Sequence, residues 1–285
     1  MILQQVVNGI MLGSMYSLVG VAFALILGIL GMLNIAIGEV FMVGAMVALS
    51  VAIVHLPWPL AILAAMALGG GVNLIIERFG FRPFSKVSVL IPILSSLAFS
   101  ILLQNLAVNI WTSEKKIFPY AESVIRYDFG LFKINSAQII IIATTVLLMV
   151  FLDIVIFRSK IGRAMRAIAN NQEIANILGV DSKRVIQIAF FISGLLAGVA
   201  GVEAGFAYSQ VDPFMGVQIG LKGLAATVVG GLGNIRGAVV GGLLVGITEV
   251  MSAAYISFSY RDMFVYGMIL AVLLFWPQGV LGRKV

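Results

Sequence analysis

The sequence contains no cysteine, a single histidine and few charged residues. Of its 285 residues, 18 are Lys or Arg, 12 are Asp or Glu, and charged residues make up 11%. A soluble domain has about 25% charged residues, and so few charges could not cover the surface of a water-soluble protein of this size. The lack of cysteine excludes disulfides and thiolate chemistry, and one histidine supplies no Cys/His cluster for zinc. We therefore expect no metal and no cofactor.

Hydrophobic residues make up 61% of the chain, and its mean hydropathy is +1.11. Stretches of about 20 apolar residues, enough to cross a bilayer core of ~30 Å, recur throughout and are too long for the strands of an outer-membrane barrel. They predict an all-α polytopic membrane protein. Re-entrant bends at Gly31–Asn34 or 230–237 would leave eight spans instead of nine. The nine predicted spans are 6–33, 36–54, 58–76, 88–111, 137–157, 185–208, 213–232, 237–256 and 263–281.

Apart from Lys222, the positive charges lie in short segments outside the apolar stretches. Residues 1–77 contain no Lys or Arg, and with nine spans most of the basic residues fall on one side. The positive-inside rule makes that side cytoplasmic, with the N-terminus outside and the C-terminus inside. This distribution explains the net charge of +6 without a nucleic-acid partner. The basic residues of the cytoplasmic side are Arg78, Arg82, Lys86, Arg158, Lys160, Arg163, Arg166, Lys183, Arg184, Arg236, Arg283 and Lys284.

This parity predicts an internal repeat. The first four spans begin and end outside, and the last four begin and end inside, as in transporters built from inverted repeats around a midplane site. Ala36–Val40 and Gln218–Lys222 are similar in sequence and occupy corresponding places in the two halves. The predicted layout is one domain over 1–285, with half-repeats at 1–112 and 185–285, a central helix at 137–157 and a cytoplasmic loop at 158–184.

Several polar residues lie inside the predicted spans, where a charge costs several kcal/mol unless it is paired or hydrated. Glu39 and Lys222 occupy matching places in the half-repeats and could form a buried ion pair, either lining a path or joining the two halves. Asp153 is placed to pair with Arg158 about one helical turn away. The candidates for a translocation path are Glu39, Glu203, Lys222 and Glu249 within the spans and Asn34 at the start of the second span.

No enzymatic motif competes with a transport function. The sequence contains no GxxxxGK[ST] phosphate loop, no HExxH and no GxSxG. We therefore expect a transport protein without an ATPase motif of its own.

The loop at 158–184 has the pattern of two short surface helices. Ser159 is placed to cap the first helix, which carries a basic face, and Gly179 is placed to end the second. Ala175 is small enough to let the second helix sit in a groove of a partner. The alternative is that the basic face binds lipid headgroups. The candidate coupling residues are Arg163, Arg166, Glu173, Ala175 and Gly179.

Four segments resemble the permeases of ABC importers. Glu173–Gly179 is similar to their Glu-Ala-Ala-x-x-x-Gly loop, with Ile174 at the middle position of the first three residues. Asn8–Leu18, Asn34–Glu39 and Gly220–Gly233 are similar to the branched-chain amino acid ABC permeases. The resemblance covers nearly the whole chain and is closest to the shorter of the two permeases in that system.

This resemblance implies a permease subunit of a bacterial inner-membrane importer for branched-chain amino acids. Its partners would be a second homologous permease, two cytoplasmic ATPases, a periplasmic binding protein and membrane lipid. One alternative keeps the architecture and changes the cargo to urea, short amides or another small amino acid. Another is a secondary transporter or channel that works alone, against which the helix pair at 158–184 argues.

Overall fold

The computed structural model describes residues 2–84, 90–120, 125–128 and 133–282, and within them it forms helices and short strands. A π-helical turn at Glu77–Phe81 extends α3, and a 3-10 turn at Phe258–Tyr260 precedes α11. The α-helices are α1 Ile2–Leu30, α2 Ile37–Ile53, α3 Trp58–Ile76, α4 Leu90–Trp111, α5 Ser136–Arg158, α6 Lys160–Asn170, α7 Gln172–Ile177, α8 Ser182–Tyr208, α9 Met215–Gly230, α10 Ile235–Tyr255 and α11 Arg261–Phe275. The strands are β1 Lys116–Ile117, β2 Arg126–Asp128, β3 Lys133–Asn135 and β4 Gln210–Val211.

The predicted all-α polytopic class is confirmed. In the described residues, seven helices are long and apolar enough to cross a membrane: α1, α3, α4, α5, α8, α10 and α11, counting the short turns that extend α3 and α11. The remaining two predicted spans are the shorter apolar helices α2, with 17 residues, and α9, with 16. At 1.5 Å per residue they extend only about 26 and about 24 Å. The two short helices are the second and the seventh of the nine predicted spans.

The buried centre of the bundle is formed mainly by α1, α2, α8 and α9. Around it, α1 packs against α10 and α3 packs against α8, while α2 contacts α8 and α1 contacts α9. Helices α4, α5 and α11 lie outside this centre and leave many large apolar side chains exposed. Such surfaces are suited to lipid or to partner subunits rather than to water.

Glycines allow several helices of the bundle to approach at backbone distance. A Cβ on Gly44 would lie 2.3 Å from the carbonyl oxygen of Gly198, and a Cβ on Gly246 would lie 2.2 Å from the backbone nitrogen of Gly13. These distances leave room for hydrogen alone, as in other close crossings of membrane helices. Glycines spaced four residues apart, such as Gly194 and Gly198, therefore mark real helix contacts.

The connections predicted to be periplasmic meet at one end of the bundle. Strand β1, between α4 and α5, pairs antiparallel with β4, between α8 and α9. The Gln4 amide donates to the Lys133 carbonyl at 2.9 Å, and the Tyr120 hydroxyl donates to the Leu56 carbonyl. At the other end, residues of α6 lie beside the last turns of α1. This grouping agrees with the parity expected from the positive charges.

Cysteine labelling tests which end faces the periplasm. The natural chain has no cysteine, so a single introduced thiol reports its own position. We expect Glu114→Cys, exposed between α4 and β1, to react with a membrane-impermeant maleimide in intact spheroplasts. Lys183→Cys, exposed at the start of α8, should react only after permeabilisation. The opposite pattern would reverse the orientation that the positive-inside rule assigns.

Candidate functional site

A buried ion cluster joins three helices of the second half of the chain. Lys222 of α9 places its Nζ 2.5 Å from Oε1 of Glu249 on α10 and 3.0 Å from Oδ1 of Asp262 at the start of α11. The side chains of Lys222 and Glu249 are 6% and 2% exposed. Because charges this deeply buried are costly unless paired, the contact fixes the relative positions of α9 and α10.

Two tyrosines extend this cluster towards α1 and α8. The Tyr16 hydroxyl donates to Oε2 of Glu249 at 2.8 Å, and its oxygen lies 2.8 Å from the Tyr208 hydroxyl. A tyrosine has one hydroxyl proton, so the Tyr208 hydroxyl donates to Tyr16. Both oxygens of the Glu249 carboxylate therefore have partners, as a buried carboxylate requires.

The cluster reaches the protein surface through the first residues of α11. Asp262 is 52% exposed and Arg261 is 28% exposed, and Nε of Arg261 lies 3.8 Å from Oε1 of Glu249. The two cations, Lys222 and Arg261, balance the two carboxylates, so the group is neutral as a whole. Its inner members are buried and its outer members are exposed at the surface of the chain, an arrangement in which a partner can be exchanged from one side.

The ion pair between Glu39 and Lys222 proposed from the sequence is not formed. Lys222 contacts Glu249 and Asp262, whereas Oε1 of Glu39 accepts a hydrogen bond from the Ser100 hydroxyl at 3.3 Å. The partners of Lys222 come from α10 and α11 because α9 packs against both helices. The two charges therefore belong to separate sites.

Glu39 lies in the first turn of α2 and is 1% exposed. Its second oxygen, Oε2, has no hydrogen-bond partner among the described residues. A Cβ on Gly216, in the first turn of α9, would lie 2.6 Å from this oxygen. The carboxyl group thus faces the start of a helix, where the macrodipole favours negative charge.

Asn34 ties the turn before α2 to its neighbours. Its side-chain amide donates to Oδ1 of Asn73 on α3 at 3.0 Å, and the Asn73 amide donates to the Phe190 carbonyl of α8 at 2.7 Å. The backbone nitrogen of Ile35 donates to the Ser96 hydroxyl at 3.0 Å. Asn34 therefore holds the non-helical segment between α1 and α2 in place.

Glu203 of α8 is a third buried carboxyl group, 2% exposed. The Thr144 hydroxyl of α5 donates to its Oε1 at 2.8 Å, and the Thr145 hydroxyl donates to the same oxygen at 3.1 Å. These bonds connect α5 to α8. Glu203 contacts neither the Lys222 cluster nor Glu39 within the described part of the chain.

The predicted helix pair at 158–184 is present, with the expected cap at Ser159 and the expected end at Gly179. The Ser159 hydroxyl accepts from the Gly162 nitrogen at 3.0 Å and caps α6, while the Asn171 side chain caps α7. Gly179 follows α7 with a φ of +86°, a conformation that glycine adopts without strain. The Asp181 carboxylate then caps α8 through the Arg184 nitrogen. The loop is therefore continuous with a central helix of the bundle.

The position of Ala175 corrects the sequence-based interpretation of this helix. Ala175 is 2% exposed and belongs to the core, where α7 packs against α6 and α8. Its small side chain is therefore packed within its own chain and is not available to a groove of a partner. The exposed apolar side chains of this segment are Ile174, Ile177 and Leu178, which are 54%, 84% and 77% exposed. These three residues form the apolar tip.

The other candidate coupling residues of the loop, Arg163, Arg166 and Glu173, differ in their surroundings. Arg163 and Glu173 are exposed. Arg166 donates to the Ile156 carbonyl, and its guanidinium lies 5.6 Å from the centre of the Phe157 ring. Arg166 therefore contributes to holding α6 against α5, in addition to carrying charge.

The prediction that Asp153 pairs with Arg158 is also wrong. Asp153 Oδ1 accepts from Nε of Arg236, at the start of α10, at 2.9 Å. The approach of α10 to α5 supplies a partner that helical spacing could not show.

Sequence reasoning missed Tyr16, Tyr208, Arg261, Asp262 and Asn73 as members of these polar sites. The first two are single hydroxyls in apolar helices, and hydropathy places Arg261 and Asp262 in a loop outside the membrane. A polar residue in a buried helix is itself a signal, because it needs a partner there. The identity of the partner depends on the helix packing.

Comparisons with known proteins agree with this architecture. A family model described as "Branched-chain amino acid transport system / permease component" matches residues 5–273. The chain is 38% identical to the high-affinity branched-chain amino acid transport system permease protein BraD of Pseudomonas aeruginosa, over 99% of this chain and 96% of that protein. It is 36% identical to the permease protein LivH of Escherichia coli, over 99% and 96%.

A solved structure gives a weaker likeness, in fold alone. PsaBC from Streptococcus pneumoniae in complex with Fab has a TM-score of 0.54 and 14% identity, covering 95% of this chain and 91% of that chain. The apolar helices and the named relatives make the protein a multi-pass protein of the bacterial inner membrane. The family model spans nearly the whole chain, so this chain belongs to the permease family of branched-chain amino acid transport systems.

Proposed function

We propose that this chain is the translocation-path subunit of an ATP-driven importer for branched-chain amino acids. It would act with a second homologous permease, two cytoplasmic ATPases and a periplasmic binding protein. The observation that carries the proposal is the match of residues 5–273 to the family, together with relatives named as branched-chain amino acid permeases over nearly the full chain.

The chemistry of the Lys222 cluster supports an amino acid as the cargo. An amino acid carries a carboxylate and an ammonium group, the same charge types that Glu249 and Lys222 present to each other. Such a zwitterion can replace either partner without leaving a buried charge unpaired. Urea and short amides carry neither charge, so they could not compensate for a separated pair.

The helix contacts support an inverted repeat. When the first four spans are matched in order along the chain to the last four, α1 corresponds to α8, α2 to α9 and α3 to α10. The contact of α1 with α10 then corresponds to that of α8 with α3, and the contact of α2 with α8 to that of α9 with α1. We propose that the half-repeats 1–112 and 185–285 move against each other around the crossing of α2 and α9.

The apolar tip supports a coupling role for the loop at 158–184. Ile174, Ile177 and Leu178 project from a capped helix that leads through Asp181 directly into α8. Apolar side chains this exposed on a capped helix favour a protein partner. A rigid contact here would pass the closing motion of the ATPases to the centre of the bundle.

A transport assay with the reconstituted complex tests the function. Proteoliposomes holding both permeases and both ATPases should take up leucine only with binding protein outside and ATP inside. Excess isoleucine or valine should compete, and urea or acetamide should not. Competition by urea alone would show that the cargo is urea or a short amide instead. ATP-independent uptake by this chain alone would identify a secondary transporter or channel.

Charges at the apolar tip should uncouple the complex. Burial of an Ile or Leu side chain contributes about 1.5–3 kcal/mol, so Ile177→Asp should weaken ATPase binding by about tenfold or more. The measurement is co-purification of the ATPases together with leucine-stimulated ATP hydrolysis. Ile161→Asp on α6, also exposed, is the matched control and should retain both. Normal coupling in Ile177→Asp combined with Leu178→Asp would contradict the role of the tip.

A further inference from the structure

A crevice between α5 and α10 has the shape and chemistry of a lipid site. It has a volume of about 490 Å³ and lies at the end of the bundle that carries the basic loop. Its walls along the membrane helices are apolar, and two arginines stand at its mouth. Its lining includes Val150, Asp153, Ile154, Arg158, Arg236 and Val239.

The apolar walls are open towards the membrane. Val150 and Ile154, on the same face of α5, are 55% and 50% exposed, and Val239 of α10 lies opposite. The crevice therefore continues from the end of the bundle along helices that cross the bilayer. An acyl chain lying in it would cover apolar surface that a small water-soluble anion would leave bare.

The mouth of the crevice carries a net positive charge. Arg236 uses its Nε–H for Asp153 at 2.9 Å, and its guanidinium lies 4.4 Å from the centre of the Phe157 ring, which holds it in position. A guanidinium has five N–H donors, so its Nη groups can still bind an acceptor. The side chain of Arg158 makes no hydrogen bond or ion pair with the residues that the structure describes. Two arginines and one aspartate leave one positive charge, which matches a phosphodiester.

We propose that this crevice binds one anionic phospholipid of the cytoplasmic leaflet. Arg158 and the Nη groups of Arg236 would contact the phosphate, and one acyl chain would lie against Val150, Ile154 and Val239. Basic pockets between membrane helices on the cytoplasmic side recognise anionic headgroups in this way. The bound lipid would connect α5 to α10 in the second half of the chain. This proposal is independent of the identity of the cargo.

Native mass spectrometry of the purified, delipidated full chain tests the proposal. Phosphatidylglycerol and phosphatidylcholine with identical acyl chains are added separately, and bound lipid per chain is counted. We expect one retained phosphatidylglycerol and at least tenfold less phosphatidylcholine. Arg158→Gln should lower retention at least fivefold, and Arg158→Lys should restore most of it. Ile154→Trp, which fills the crevice and keeps its charges, should also lower retention.

Arg78→Gln is the matched control, because Arg78 is an exposed arginine of the same predicted side that lies outside the crevice. Its phosphatidylglycerol retention should equal that of the natural chain. Equal retention of both lipids, or unchanged retention in Arg158→Gln and Ile154→Trp, would overturn the proposal. So would displacement by inorganic phosphate alone, which would indicate a simple anion site. Loss of the lipid when both permeases are assembled would show instead that the partner covers the crevice.

Discussion

Replacing Lys222 with methionine is expected to destabilise the chain by about 3–5 kcal/mol, because it leaves the buried Glu249 carboxylate without its closest cation. Glu249→Gln should cost a similar amount by leaving Lys222 with Asp262 alone. The double variant should be destabilised much less than the sum of the two, since neither buried charge remains. The measurement is the free energy of unfolding by SDS titration in bicelles, arranged as a double-mutant cycle.

Two further variants test which carboxyl groups are energetically coupled to Lys222. Asp262→Asn removes the half-exposed partner, and we expect a loss of no more than about 1 kcal/mol because water screens that carboxylate. Glu39→Gln combined with Lys222→Met should give additive losses, because the two side chains share no contact. Strong coupling between Glu39 and Lys222, with additivity between Lys222 and Glu249, would contradict the observed pairing.

Gly198→Leu should prevent α8 from packing closely against α2 and α3. A Cβ at this position would lie 2.3 Å from the carbonyl oxygen of Ala65, and the carbonyl of Gly198 itself would lie 2.3 Å from a Cβ on Gly44. The atoms that the added Cβ would meet are backbone atoms of α3, which cannot rotate away as a side chain can, and the Gly44 distance shows that α2 lies equally close to Gly198. Overpacking normally costs about 1–3 kcal/mol, and we expect about 3 kcal/mol or more at this three-helix contact.

Gly71→Leu on α3 is the matched control, since a Cβ there would meet nothing within 4 Å. It should be neutral or slightly stabilising, because glycine is about 0.5–1 kcal/mol worse than alanine within a helix. The comparison uses the yield of monodisperse protein after detergent extraction and the same SDS titration. Similar yields and stabilities for the two variants would show that the crossing at Gly198 tolerates separation.

The features that the sequence determined by itself depend on residues near one another in the chain. Hydropathy over about 20 residues predicted the membrane class and located the helices. The caps at Ser159 and Gly179 were also predictable, because a cap is formed by groups two to four residues apart. Glycine spacing indicated where helices approach, because glycine lacks the Cβ that would keep two helix backbones apart.

The partners of the buried polar groups were decided only by the tertiary structure. Lys222 pairs with a residue 27 positions away and Asp153 with one 83 positions away, and Ala175 faces its own chain rather than outward. In soluble proteins an amphipathic pattern indicates the buried face of a helix. Helices such as α1 and α5 have no distinct polar face, so that pattern is missing. The rotation and crossing angle of each helix then depend on its packing against all of its neighbours. This packing determines which charged side chains meet.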